Sequence, residues 1–92
     1  MPRKKAKEIN LEALEEAFKM LEEVKNDFLT PKNVRAKIDQ VETILKENDN
    51  EIQIRINKAL HELEEIADDI NLQPFTRTQL WNIVSILEKI IA

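Results

Sequence analysis

Apolar residues recur at three- and four-residue steps along four stretches of this chain, and that spacing predicts four helices. The first stretch, about residues 9–26, lines Leu14, Ala17, Phe18, Leu21 and Val24 on one face, with Glu12, Glu15, Glu16, Lys19, Glu22 and Glu23 mostly elsewhere. The second, about residues 31–47, carries a narrow stripe of Val34, Ile38, Val41, Ile44 and Leu45. Its broad polar face predicts a helix with one exposed side. The third, about residues 51–67, opens on Ile52, Ile54 and Ile56, which alternate as a strand would. Ala59, Leu60, Leu63, Ile66 and Ala67 then continue at helical spacing and decide for a helix. The fourth, about residues 74–91, is the most apolar, with Leu80, Trp81, Ile83, Val84, Ile86, Leu87, Ile90 and Ile91.

The breaks between stretches are short, which favours antiparallel neighbours. Thr30-Pro31 opens the second helix: Thr can cap free amides, and Pro31 suits the first helical position because its missing N–H would be unpaired there. Phe28 and Leu29 are expected to tuck this turn against the core. Glu47-Asn48-Asp49-Asn50 is the middle break, where Asn can take the left-handed backbone that Gly usually supplies. Residues 68–73 form the last turn. The fourth helix then starts at Pro74, or at Thr76 with Gln79 closing a capping box.

The chain also aligns with itself without a gap at an offset of 42 positions, the distance from Leu21 to Leu63. Leu21-Glu22-Glu23-Val24 falls on Leu63-Glu64-Glu65-Ile66, Asp27 on Asp69, Arg35 on Arg77, and Ile44-Leu45 on Ile86-Leu87. A repeat of this length usually means one supersecondary unit used again. Any two amphipathic hairpins of similar length would share apolar spacing, but the Asp and Arg matches are polar. The expected fold is therefore all-α: a four-helix bundle of two helix-turn-helix hairpins related by an internal repeat, with the first helix also packing on the fourth. Residues 9–92 make its single helical domain, preceded by a basic leader at residues 1–8.

Composition narrows the function more than it names one. The 92 residues include no Gly and no Cys. Without Gly there is no P-loop, dinucleotide-binding turn or Gly-rich RNA clamp. Without Cys there are no thiol nucleophiles, thiolate metal sites or disulfides. The apolar runs are too short to span a membrane, and the basic start runs into charge rather than an apolar signal core. A cytoplasmic location with no membrane partner is the expectation. Net charge is −4, but Arg3, Lys4, Lys5 and Lys7 stand together in the leader. The chain after the first seven residues carries ten cations against eighteen anions and would repel a nucleic-acid backbone. The leader reads either as a solubilising tail or as a contact for nucleic acid or an acidic partner.

Candidate chemistry is sparse. His61 with Glu64 gives His-x-x-Glu, whereas bundle di-metal sites use Glu-x-x-His on two helices with two further Glu. The order is reversed and a second His is lacking, so His61 is expected on a solvated face with no metal or cofactor. Glu22-Glu23 and Glu64-Glu65-Asp68-Asp69 could form a carboxylate site only within a cleft that separates their pKa values, and otherwise form outer helix faces. Asp27 and Asp69 each precede an Arg, Arg35 or Arg77, by eight residues. The structural reading has each Asp bracing its turn while the Arg reaches back to carbonyls or to that Asp. The functional reading is a phosphate or partner contact. Pro31 and Pro74 belong to the same turns.

Trp81 falls on Asp39 in the repeat, so it is expected at the rim of the core, as a cover for the second half or as an anchor for a partner. The apolar arc of the fourth helix, from Ile86 through Ile83, Leu87 and Leu80 to Trp81, spans about 220°, more than the somewhat over 100° a surface helix needs. A protein partner or a homodimer is therefore expected on this helix, with Trp81, Ile86, Arg77 and Asn82 as candidate contacts.

The runs Asn71-Leu72-Gln73-Pro74-Phe75-Thr76-Arg77-Thr78, Trp81-Asn82-Ile83-Val84-Ser85 and Leu87-Glu88, with Asn26-Asp27 and Pro31-Lys32-Asn33-Val34-Arg35, resemble a family of small, uncharacterised archaeal helical proteins. Pro74 stands one residue nearer the Arg than in that family's pattern. The first turn also looks like the inter-helix turn of HEAT-type repeats. The family resemblance implies a compact four-helix fold and no assigned activity. A small non-catalytic interaction or scaffold protein, possible self-association through the fourth helix included, is the function expected; a nucleic-acid accessory role through Arg3, Lys4, Lys5 and Lys7 is the alternative. An enzyme is not expected.

Overall fold

The computed structural model describes residues 11–47 and 51–91, with side-chain surroundings given up to residue 90. Four helices follow in order: α1 (Leu11–Asn26), α2 (Lys32–Lys46), α3 (Ile52–Ala67) and α4 (Pro74–Ile91). No strand occurs among the described residues, so the alternating start of α3 is helical after all. The basic leader, including Arg3, Lys4, Lys5 and Lys7, and Asn48 to Asn50 lie outside the described residues.

The helices close into a ring. Each packs on two others: α1 on α2 and α4, and α3 on α2 and α4. The most extensive pairings, α2 with α3 and α1 with α4, run between the two hairpins rather than within them. Lys37 Nζ reaches Glu62 Oε1 at 2.6 Å and Arg55 donates to the Leu45 carbonyl at 2.8 Å. These pairs climb one helix while descending the other, so α2 and α3 are antiparallel. The short turns after α1 and after α3 consequently lie at one pole of the bundle.

The apolar stripes meet along the axis in one core. Leu21, Ile38, Ile56, Leu63, Leu80 and Leu87 are among its fully buried side chains. Lys46 Nζ stands 5.6 Å from the centre of the Phe18 ring and closes the α1–α2 seam from outside.

Two details at the helix starts differ from the sequence-based expectation. Pro31 is the N-cap of α2, not its first helical residue, and no side chain caps it. Thr30 is 2% exposed and turns the other way: its hydroxyl donates to the Val24 carbonyl at 2.8 Å. A buried hydroxyl beside a helix C-terminus finds a carbonyl that the helix itself cannot satisfy. At the other turn α4 begins at Pro74, and Thr76 is buried within the helix. The capping-box alternative therefore does not form, and Gln79 Oε1 is buried without a partner.

Candidate functional site

The two polar turns repeat one bonding scheme 42 positions apart. The Asp27 carboxylate accepts from the Leu29 N–H at 3.0 Å, and the Asp69 carboxylate from the Asn71 N–H at 2.9 Å. The Thr30 N–H donates to the Asp27 carbonyl, and the Leu72 N–H to the Asp69 carbonyl. Arg35 Nη2 donates to the Asp27 carbonyl at 3.3 Å, and Arg77 Nη2 to the Asp69 carbonyl at 2.7 Å. Arg77 adds a bond from Nε to the Ala67 carbonyl at 3.2 Å, whereas Arg35 Nε is buried without a partner. Each guanidinium thus gives the Asp carbonyl of its turn a second donor, and Arg77 also serves the carbonyl of Ala67 at the C-terminus of α3. Asx turns of this kind need no left-handed residue, and no described residue has positive φ. That is how a chain without Gly turns so tightly.

This geometry corrects the expectation for Phe28 and Leu29. They occupy the centre of the first turn and face outward, 84% and 51% exposed. Ile70 holds the Phe28 position in the second turn and is 87% exposed. The residue that points inward is the last of each turn, Thr30 or Leu72. With Phe75, 64% exposed on the first turn of α4, these side chains put exposed apolar surface at one pole of the bundle.

Most of the apolar arc of α4 is covered rather than exposed. Leu80, Ile83, Val84 and Leu87 are buried, because α4 packs on both α1 and α3 and both flanks of its arc are used. Ile86 is half-buried against the core, Asn82 is exposed, and Trp81 is 40% exposed. Trp81 and Ile86 flank the core strip, about 220° apart through it and about 140° apart across the exposed face of the helix. Arg77 is half-buried with its guanidinium engaged in the turn.

An ionic cluster at the α1–α2 seam went unread in the sequence. Lys25 Nζ meets Glu22 Oε2 at 2.9 Å, Asp39 Oδ1 at 2.9 Å and Glu42 Oε1 at 2.8 Å. Glu42 is 5% exposed, and its Oε2 has no partner. Burial pushes its carboxyl above the ordinary glutamate range against the pull of Lys25, and the adjacent Glu22 carboxyl adds to the push. Glu22 is held lower, first by its bond with Glu42 and then by Lys25. Lys25 is pushed up by Glu42, Asp39 and Glu22 in that order. The signal was present in the pattern: Glu42 sits at the edge of the Val34–Ile38–Val41–Leu45 stripe and falls on Val84 in the offset alignment, a buried residue.

His61 reaches Glu65 Oε2 at 3.4 Å across one helical turn, and its side chain is 72% exposed. It lines an open groove of about 640 Å³ between α2 and α3, with Ile44, Ile54 and Glu62. Among the described residues no group of three or more His, Cys, Asp or Glu could hold a metal ion, and no helix is long and apolar enough to cross a membrane.

Fold and surface together define a small all-α protein, four helices closed around one aliphatic core, whose outward features are apolar side chains and paired turns. The chain belongs to the uncharacterised protein family UPF0147, whose model matches residues 1–90. A UPF0147 protein of Methanocaldococcus jannaschii is 44% identical over 72 residues, covering 77% of this chain and 76% of the relative. A UPF0147 protein of Archaeoglobus fulgidus is 35% identical over 77 residues, covering 84% and 87%. The crystal structure of MMP1188, a protein of unknown function, superposes with a TM-score of 0.82 at 37% identity, covering 88% of this chain and 92% of that one. The expected kinship with small archaeal proteins of no assigned activity is thus found.

Proposed function

We propose that this protein is a non-catalytic helical interaction module that associates with a second copy of itself through the Trp81 side of α4. Trp81 carries the reading. It is a large apolar side chain left 40% exposed beside the exposed Asn82, on a helix whose other large apolar residues mostly serve the core. Trp is over-represented where binding energy concentrates, because one side chain buries much area at small entropic cost. The absence of a catalytic role rests on the titratable groups that the fold gathers. Lys25 is engaged by three carboxylates at a seam, and among the described residues His61 pairs with Glu65 in the open. Neither offers a nucleophile next to a base.

Light scattering coupled to size exclusion tests the association. The native chain is expected to run with the mass of a dimer, and Trp81→Asp to run as a monomer with an unchanged circular dichroism spectrum. A native monomer at every concentration would overturn the self-association.

A further inference from the structure

The apolar pole is a second surface, distinct from the Trp81 flank, and its surroundings are charged with one sign in excess. Residues 22–35 and 64–77, which build this end of the bundle, hold seven carboxylates against four cations. Three of those cations are occupied: Lys25 by its three carboxylates, Arg35 and Arg77 by turn carbonyls. Among the described residues, Glu23, Glu64 and Asp68 are exposed and make no ion pair. Phe28, Leu29, Ile70 and Phe75 therefore stand within an acidic rim.

We infer that this pole docks a short segment of another protein that presents apolar side chains flanked by Lys or Arg. The inference rests on the interaction-module reading and adds the place and the chemistry of the partner. Two features of the pole select this occupant. A second copy would bring the same excess of carboxylates to the contact, and like charges across an interface oppose binding. The cross-section of the bundle, about 23 × 19 Å, is also well short of the roughly 800 Å² per partner of a stable interface. An acidic rim likewise opposes the anionic surface of a membrane or a nucleic acid. A basic amphipathic segment matches both the exposed apolar surface and the sign of its rim, and such a segment needs only a few apolar anchors. The Asx turns hold Phe28 and Ile70 outward before any partner arrives, which lowers the ordering cost of binding.

The test titrates the isotope-labelled full chain with two synthetic peptides of about 15 residues sharing one amphipathic apolar pattern, one with Lys and one with Glu at the polar positions. The Lys peptide is expected to bind saturably and to shift the amide signals of Phe28, Leu29, Ile70, Asn71 and Phe75. The Glu peptide is expected to bind at least about tenfold more weakly. Phe28→Ser with Ile70→Ser changes two outward side chains, so the fold should persist, and affinity for the Lys peptide should fall by a similar factor. Replacing Glu23, Glu64 and Asp68 by Lys should reverse the preference between peptides. Equal affinity for both peptides, no binding, or shifts centred away from the turns would overturn the inference. So would binding to phosphatidylglycerol vesicles that requires Phe28 and Ile70, or loss of dimer mass in the Ser variant, which would give the pole to lipid or to a second copy. If the pole fails while Trp81→Asp still abolishes a dimer, the interaction-module reading stands without this partner.

Discussion

The Arg77 guanidinium ties the end of α3 to the start of α4 through two carbonyls, at 3.2 and 2.7 Å. Arg77→Ala is expected to cost about 1–3 kcal/mol, because half-buried carbonyls lose charge-assisted donors. Arg77→Lys should recover little, since an ammonium cannot span both acceptors as the planar fork does. Urea melts of the two variants check this, and equal native-like stability would show that water replaces the guanidinium. Leu63 makes the contrasting case. It is fully buried in the core, so Leu63→Ala should cost about 2–5 kcal/mol, the range for emptying a packed site. A loss under about half a kcal/mol would place Leu63 on the surface.

Between elements, the α1–α2 seam is where polarity replaces packing. Glu42 takes a near-core position on α2, and Lys25 on α1 supplies the counter-charge. The folded pKa of Glu42 is raised, so the native state keeps this proton at a pH where the unfolded chain has released it. Its contribution to stability is full below the ordinary glutamate value of 4.5 and is lost as pH rises through the raised value. Glu22, held lower, contributes above that ordinary value and loses its contribution as pH falls. Comparing the native chain with Glu42→Gln isolates the first effect. The variant is expected to gain on the native chain as pH rises from about 4 toward neutrality. Denaturant melts across that range check it, and a pH-independent difference would mean that Glu42 ionises as freely in the fold as in water.

For the whole molecule, the ring of contacts has a consequence for folding. The widest helix pairings join one hairpin to the other, so neither half owns the core that stabilises it. Two amphipathic helices alone leave most of their apolar stripe in water. Residues 1–50 and 51–92 made separately are each expected to show little cooperative melting, and to regain helix when mixed. A half that melts cooperatively by itself would place the stabilising core within a hairpin. The full chain should unfold in one transition, with circular dichroism and Trp81 fluorescence coincident.

Periodicity in the sequence determined that there are four helices, roughly where each begins and ends, and that Leu21, Ile38, Leu63 and Leu80 face inward. These are local facts: a 3.6-residue period and a Pro near a helix start act within a few residues of themselves. The paired Asp and Arg residues were legible for the same reason, since an Asx turn closes within its own loop. Only the tertiary structure decided what the neighbouring helices cover. By packing on both α1 and α3, α4 loses most of the apolar surface that its own pattern left over. Glu42 becomes a buried charge because Lys25 stands opposite it, 17 residues away in the chain. Phe28 and Ile70 share one pole because a ring of antiparallel helices returns both turns to the same end. Apolar character in a sequence shows that a side chain favours burial. Whether it is buried depends on the geometry of its neighbours, and in these turns the backbone bonds that satisfy Asp27 and Asp69 set the side chains outward.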